Sequence, residues 1–334
     1  MNIYDISKQA GVSIATVSRV LNDSPHVRPA TRKKVLAAIE GTGYVPNAFA
    51  RGLGLNTMKT IGLVCPNASD PYLAKALEYL EGAFRLSGYQ CLLTCTGKEQ
   101  KDRAAGVQQL IARQVDGMVL MGSSFAEGSP DDSAYIRTAA QKMPVVLLNS
   151  DYSAPNVFCV LCDDRRAASD AVELLIAKGK RRILCLHHST NHSGRMKLEG
   201  YRAALTKHGI SEDPALIRLC PPESYTVPGI RDDLISLWED GLRFDGVFAS
   251  EDVAAVASLK FARAKGLSVP RDLAVIGYNN SEYCVVCEPE LTSVDNRLKA
   301  LCDRCASTLT DVLGGQEMPR MTVYTADIVQ RAST

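Results

Sequence analysis

IYDISKQAGVSIATVSRVLN, residues 3–22, is the stretch from which the rest of the chain is read. It predicts two short helices joined by a tight turn. Gly11 supplies the positive-φ backbone that such a turn needs, and Ser13 can cap the second helix by accepting from an orphan backbone N–H. Ile6 and Ala10 sit four apart on the first helix; Val17, Val20 and Leu21 sit at i, i+3 and i+4 on the second. Each helix therefore has one apolar face to bury. The second helix leaves Ile14, Ala15, Thr16, Ser18 and Arg19 outside. That surface is small, hydroxyl-bearing and basic, without an acid, and it suits insertion into a DNA major groove. An ordinary two-helix surface unit would read alike in isolation, so the residues beyond Asn22 decide between the two.

Outward from this pair, Thr31 to Ile39 predicts a third helix, with Val35 and Ile39 four apart and Arg32, Lys33 and Lys34 outside. Gly41 and Gly43 are expected to stop it. Asn47 is a good N-cap for a fourth short element over 48–53. Gly52 and Gly54 each weaken it by about 1 kcal/mol relative to Ala. A helix so short is not stable alone in water and should form only when braced. Residues 1–60 carry a net charge of +5 and the remainder −4. A small basic head on an acidic body fits a phosphate-binding module attached to a core that does not bind phosphate backbone.

From Ile61 the pattern changes. Apolar runs of strand length (61–64, 91–95, 117–121, 145–149, 157–161) alternate with amphipathic stretches, and a second series succeeds them (182–186, 215–219, 246–249, 273–278). Short, wholly apolar strands alternating with helices indicate parallel sheets covered on both faces. Two series predict two doubly wound parallel-sheet subdomains. Ligands bind at the carboxyl ends of the strands in that architecture, and the corresponding loops here are polar: 67–72, 122–125, 149–151, 187–195, 250–252 and 279–281.

Other classes find little support. No apolar run approaches the roughly 20 residues that span a bilayer, and the N-terminus lacks a signal peptide's basic start and apolar core, so a cytosolic protein without membrane attachment is expected. Most of the eleven cysteines should then be reduced and buried; Cys91 and Cys95 alternate with Leu93 at core spacing. The pairs Cys284/Cys287 and Cys302/Cys305 approach zinc-ribbon spacing, but an apolar strand and an amphipathic helix fall where knuckles would be needed. His187, His188 and His192 read as a polar cleft loop in preference to a metal site. Trp238, with Leu234 and Leu237, reads as helix core. No GxGxxG comes after the first strand, and neither GxSxG nor a P-loop occurs; no metal, cofactor or catalytic group is expected.

Several segments taken in order carry a family resemblance: the head IYDISKQAGVSIATVSRVLN, then GYVPNAFARGL, IGLVCPN, GRMKLEGYRAAL, FASEDVAAVASL, VIGYNNS, PELTSV and the ending ADIVQRAST. Over essentially its whole length the chain resembles the lactose-repressor (LacI) family of bacterial transcription regulators. The resemblance implies a helix-turn-helix headpiece (1–46), a hinge helix and linker (47–60) and a periplasmic-binding-protein-like core (61–334). The core would divide into an N-subdomain of about 61–161 and 290–323 and a C-subdomain of about 162–289 and 324–334. It also implies a bacterial cytoplasmic, nucleoid-associated repressor that binds double-stranded operator DNA as a homodimer. Its control by a small-molecule effector is implied too, and that effector is expected to be a carbohydrate.

By position, Ile14, Ala15 and Arg19 fall where the family reads base edges, and Tyr4, Ser13, Thr16 and Ser18 look like phosphate-positioning residues. Leu53 matches the leucine that the family wedges into the minor groove, with Asn47 opening the hinge element and Ala50 facing the partner subunit. For the effector, the resemblance points to Arg195, whose guanidinium can donate a rigid fork. Asp163 is the pocket position at the start of the second lobe, with Asp164 able to exchange roles, and Tyr72 is a stacking platform. Asn279 stands where Asp is common and Glu251 where Asn or Ser is usual; Asn67, Ser123, Tyr225 and Asn296 complete the set. The absence of a heptad helix after the last core strand predicts a dimer without tetramerisation. A transport solute-binding protein would explain the core but not residues 1–55, and a doubly wound enzyme would need a nucleophile–base pair or cofactor fingerprint.

Overall fold

In the computed structural model, residues 2–21, 24–43, 57–97, 99–126 and 132–334 are described. The expected hinge element, with Asn47, Ala50 and Leu53, lies outside them. The head comprises α1 (Ile3–Ala10), α2 (Ile14–Leu21) and α3 (Pro29–Thr42). Asn2 starts α1 with a capping box: its side chain accepts from the Tyr4 and Asp5 backbone N–H groups, and Asp5 accepts from the Asn2 backbone. Gly11 ends α1 at φ +64°, and Ser13 Oγ accepts from Thr16 N at 3.2 Å, as the turn reading requires. Ile6, Val17, Val20, Val35 and Ala38 form the buried centre of the three helices. Of the two glycines expected to stop α3, only Gly43 does so, at φ +63°; Gly41 lies within the helix.

The core is two six-stranded sheets. The first contains β1 (Thr60–Cys65), β2 (Gln90–Cys95), β3 (Gly117–Met121), β4 (Val145–Leu148), β5 (Val157–Cys162) and β11 (Met321–Tyr324), ordered β11-β5-β4-β3-β1-β2, all parallel. The second contains β6 (Ile183–His187), β7 (Ile217–Leu219), β8 (Gly246–Ala249), β9 (Ala274–Tyr278), β10 (Thr292–Asp295) and β12 (Asp327–Val329), ordered β12-β10-β9-β8-β6-β7. It is parallel except for β12 against β10. Helices α4 (Pro71–Leu86), α5 (Gln100–Ala112), α6 (Ala134–Ala140) and α12 (Leu298–Leu313) cover the first sheet. Helices α7 (Asp164–Ala177), α8 (His192–Lys207), α9 (Val227–Glu239), α10 (Asp252–Ala264) and the short α11 (Tyr283–Val286) belong to the second lobe. Each sheet has an apolar cluster on either face, which is why its central strands read as unbroken apolar runs.

Three differences from the sequence reading have simple causes. The chain returns to the first lobe later than a boundary at 290 allows. β10 pairs with β9 in the second sheet, and the crossing comes between Asp295 and Leu298, because α12 buries Leu301, Cys302, Cys305 and Leu309 against the first sheet. Those two cysteines therefore occupy a different lobe from Cys284, which packs in the second. Finally, β2 is an edge strand, so its outer face is only partly covered: Leu93 is 45 % exposed and Cys95 is exposed, although their alternation matches core spacing.

Candidate functional site

Both sheets turn their carboxyl strand ends toward one cleft of about 970 Å³. Asp70, Tyr72, Lys75 and Tyr79 of α4 and its N-cap line it from the first lobe; Glu251, Asn279, Ser281 and Tyr283 line it from the second. Asp70 is there because it caps α4, accepting from Leu73 N at 3.0 Å ahead of Pro71. Tyr72 is fixed by Asn149, at the end of β4, whose Nδ2 donates to the phenol oxygen at 2.5 Å. Asn149 adopts φ +60°, a conformation Asn tolerates better than most residues. Burial holds the Tyr72 phenol well above its usual range, so it remains an O–H donor.

On the opposite wall Glu251 comes directly after β8 and its Ser250. Tyr225 donates its hydroxyl to Glu251 Oε2 at 3.0 Å. His188 Nε2 lies 3.4 Å from Oε1, and the His188 ring stacks on Tyr225 at 4.5 Å. Burial raises the Glu251 carboxyl to about 7, nearby Lys197 pulls it down, and Asp70 across the cleft pushes it up. Two carboxyl groups thus face one another from different lobes. Asn279, at φ +93° after β9, accepts from Asn296 Nδ2 at 3.1 Å.

Behind this wall a second network fixes the strand ends. Tyr278 donates to Asp164 Oδ1 at 2.6 Å, and Ser193 donates to the other oxygen. Lys197 Nζ sits 3.8 Å over the Tyr278 ring and donates to the Ser250 carbonyl at 3.1 Å. Asp252 accepts from Ser293 Oγ at 2.6 Å and from Ser281 N at 2.7 Å. Burial raises its carboxyl above the usual range while those bonds oppose the rise. Gly277 leaves room for it, since a Cβ there would fall 2.3 Å from Asp252 Oδ1.

The expected effector set is thus divided. Tyr72, Glu251 and Asn279 line the cleft, and Tyr225 and Asn296 hold two of them in place. Arg195 does not join them: it is exposed, and its Nη1 donates to the Thr190 carbonyl at 2.9 Å. Lys197, two residues on, is the buried cation of α8. The signal was present in the sequence. Gly194, Lys197, Gly200, Tyr201 and Ala204 share the buried face, and Arg195 lies on the other side of that period. Asp163 spends Oδ1 on capping α7 through Arg166 N at 3.0 Å, and Asp164 takes the buried role instead. Asn67 is exposed and bonds to Ser69 within its own turn. Ser123 is buried beyond β3 without lining the cleft.

His187, whose burial lowers its pKa, faces the Ser189 carbonyl and not the other histidines. No group of three or more metal-ligating side chains forms among the described residues, and none of their helices is long and apolar enough to cross a membrane. In the head, Ser13, Ile14, Ala15 and Arg19 are exposed, Thr16 and Ser18 half-buried, and Tyr4 is 62 % exposed. The face of α2 opposite Val17 and Val20 is therefore open.

Residues 2–47 match the family described as bacterial regulatory proteins, lacI family, and residues 172–334 match the periplasmic binding protein-like domain. An HTH-type transcriptional regulator of Lachnoclostridium phytofermentans is 45 % identical over 334 residues, covering 100 % of this chain and 99 % of that protein. GalR of Escherichia coli is 32 % identical, with coverages of 99 % and 95 %. Among solved structures, the CelR–cellobiose complex matches with a TM-score of 0.72 at 28 % identity and full coverage of both chains. The lac repressor dimer bound to operator and the anti-inducer ONPF matches with a TM-score of 0.89 at 22 % identity, covering 100 % of this chain and 98 % of that one, a likeness of fold.

Proposed function

Because the chain belongs to the lacI family of bacterial regulatory proteins and is a DNA-binding transcriptional regulator, we propose that it acts as a homodimeric repressor whose cleft reads a carbohydrate or carbohydrate derivative. The observation that carries this reading is the cleft itself, where Asp70 and Tyr72 from one lobe face Glu251 and Asn279 from the other. A polyhydroxylated ligand satisfies acceptors and donors on both walls at once, so binding favours the arrangement in which the walls meet. CelR, similar over its full length, was solved with cellobiose. The site works by binding: two of the neighbouring carboxylates, Asp164 and Asp252, are committed to hydrogen bonds that hold the loops. The chain performs no chemistry on its ligand and works in the bacterial cytoplasm, where its DNA is.

At the other end, α2 enters the major groove. Arg19 is its long polar reader, able to fork onto a guanine, while Ile14 and Ala15 offer apolar contact, for example to a thymine methyl. Tyr4, Ser13, Thr16 and Ser18 bond to phosphates and set register. Leu53, with Asn47 and Ala50 in the hinge, adds a minor-groove wedge that bends the duplex. Ligand in the cleft shifts the population of the DNA-competent state.

The test is salt-dependent binding to duplex DNA from the chain's own upstream region, with random duplex as reference, before and after a thermal-shift screen of sugars and sugar derivatives. Tighter binding to the upstream duplex is expected, changed by whichever sugar raises the melting temperature. A fall in affinity identifies an inducer and a rise a corepressor. Equal affinity for both duplexes overturns the regulatory reading of α2, and a screen without a stabilising sugar overturns the ligand class.

A further inference from the structure

Cys65 ends β1 and Cys95 ends β2; they are direct partners in the parallel register, and their sulfurs lie 3.8 Å apart. Neighbouring strands are about 4.8 Å apart, inside the roughly 4.4–6.8 Å between Cα atoms that a disulfide accepts. The two thiols differ in access. Cys65 is fully buried in the first lobe's core beside Leu73 and Ala76, whereas Cys95, on the edge strand, is the one exposed cysteine among the described residues. Other cysteines lack this combination: Cys302 and Cys305 are both buried, as are Cys185 and Cys220, and Cys287 Sγ is turned to the Cys284 and Pro289 carbonyls.

We propose that Cys65 and Cys95 form a redox modification site, in which a hydroperoxide oxidises Cys95 and Cys65 closes a reversible intramolecular disulfide. In the first step the Cys95 sulfur attacks the peroxide O–O bond; Cys95–SH becomes Cys95–SOH and the peroxide is reduced to water or an alcohol. In the second, Cys65 attacks the sulfenic sulfur, the S–O bond breaks, and the hydroxyl leaves as water with the Cys65 proton. Two electrons have passed to the peroxide, and a dithiol reductant returns them. Burial pushes the Cys65 thiol up to about 12, which disfavours it as the first attacker; its place in contact with the Cys95 sulfur recruits it to the second step. Exposed and buried partners in contact are the arrangement a sensing pair needs, and disulfides in a reducing compartment are mostly of this transient kind.

The pair also lies close to the cleft along the chain. Pro66 comes next after Cys65, and four residues later Asp70 caps α4 and lines the cleft. The cross-link would thus lie on the strand that leads directly to that wall of the cleft, five residues before Asp70.

The experiment exposes the full-length protein to hydrogen peroxide, blocks remaining thiols with N-ethylmaleimide, digests without reduction and maps the products by mass spectrometry. The expected product is a cross-link between the peptides carrying Cys65 and Cys95, two hydrogens lighter than their sum and reversed by dithiothreitol. Cys95→Ser should abolish it, and Cys91→Ser, on the same strand, should leave it in place. Cys65→Ala, checked by circular dichroism, should stop the reaction at sulfenic or more oxidised Cys95; Cys95→Ser, at an exposed position, carries the test if that variant does not fold. Wild-type Cys95 that is unmodified, oxidised to sulfinate without a cross-link, or joined to Cys95 of a second copy overturns the proposal.

Discussion

Glu251 carries the most chemical information of any residue in the cleft, since burial and Asp70 push its carboxyl up to about 7 while Lys197 and Tyr225 restrain the rise. A carboxyl whose pKa is higher folded than unfolded stabilises the fold fully at low pH, and that contribution is lost as pH rises from about 4.5 through about 7. Buried His187, whose pKa is lowered, acts in the opposite direction below its ordinary value near 6.5. The difference between wild type and Glu251→Gln isolates the carboxyl. Differential scanning fluorimetry should show the wild-type melting temperature falling relative to the variant across that window and running parallel above it. Lys197 and Arg195 make a second comparison. Lys197→Met removes a buried ammonium from the Tyr278 ring and the Ser250 carbonyl and should cost about 1–3 kcal/mol in urea unfolding of the core. Arg195→Ala, at an exposed position, should change stability by less than about 0.5 kcal/mol.

Among the elements, the head was legible because its signals are local: an Asn cap, a Gly turn, a Ser cap and apolar residues three and four apart all fall within about twenty residues. Ile6 is fully buried at its centre, so Ile6→Ala should cost about 2–5 kcal/mol of a small unit's stability. Operator binding should be lost in gel-shift assays while the core's melting transition is retained. Arg19→Ala should relax specificity at one base pair per half-site, by about 1–3 kcal/mol, in competition against single-base operator variants; uniform weakening would assign Arg19 to phosphate instead. In the core, strand positions were legible from apolar runs, but strand neighbours were not. Cys91, Leu93 and Cys95 alternate like core residues, yet β2 has one neighbour and lies at an edge. The tight seat of Asp252 against Gly277 depends equally on pairing. Gly277→Ala should destabilise by roughly 1–3 kcal/mol in the same urea assay, because the added Cβ displaces a carboxylate held by two hydrogen bonds.

For the whole molecule, the governing feature is that the chain passes between its lobes at 162–164, 295–298 and 324–327. Arg297, at φ +56°, links the last two crossings through a pair to Asp327 at 2.7 Å. Lobes joined in this way can change their mutual angle, and a ligand touching both can select one angle. Linkage then requires reciprocity: the factor by which a stabilising sugar changes operator affinity must equal the factor by which operator changes sugar affinity, which paired anisotropy and calorimetric titrations can check. The sequence by itself determined the three-helix head, the two series of parallel strands and three of the loops that line the cleft (67–72, 250–252 and 279–281), because caps, turns and hydrophobic periods are encoded within a few neighbouring residues. Only the tertiary structure decided that Asp164 and not Asp163 joins the inner network, that β10 pairs in the second sheet, and that Cys95 stands exposed against buried Cys65. Each of these depends on which distant strand or helix lies alongside, and burial is a property of that neighbour as much as of the residue.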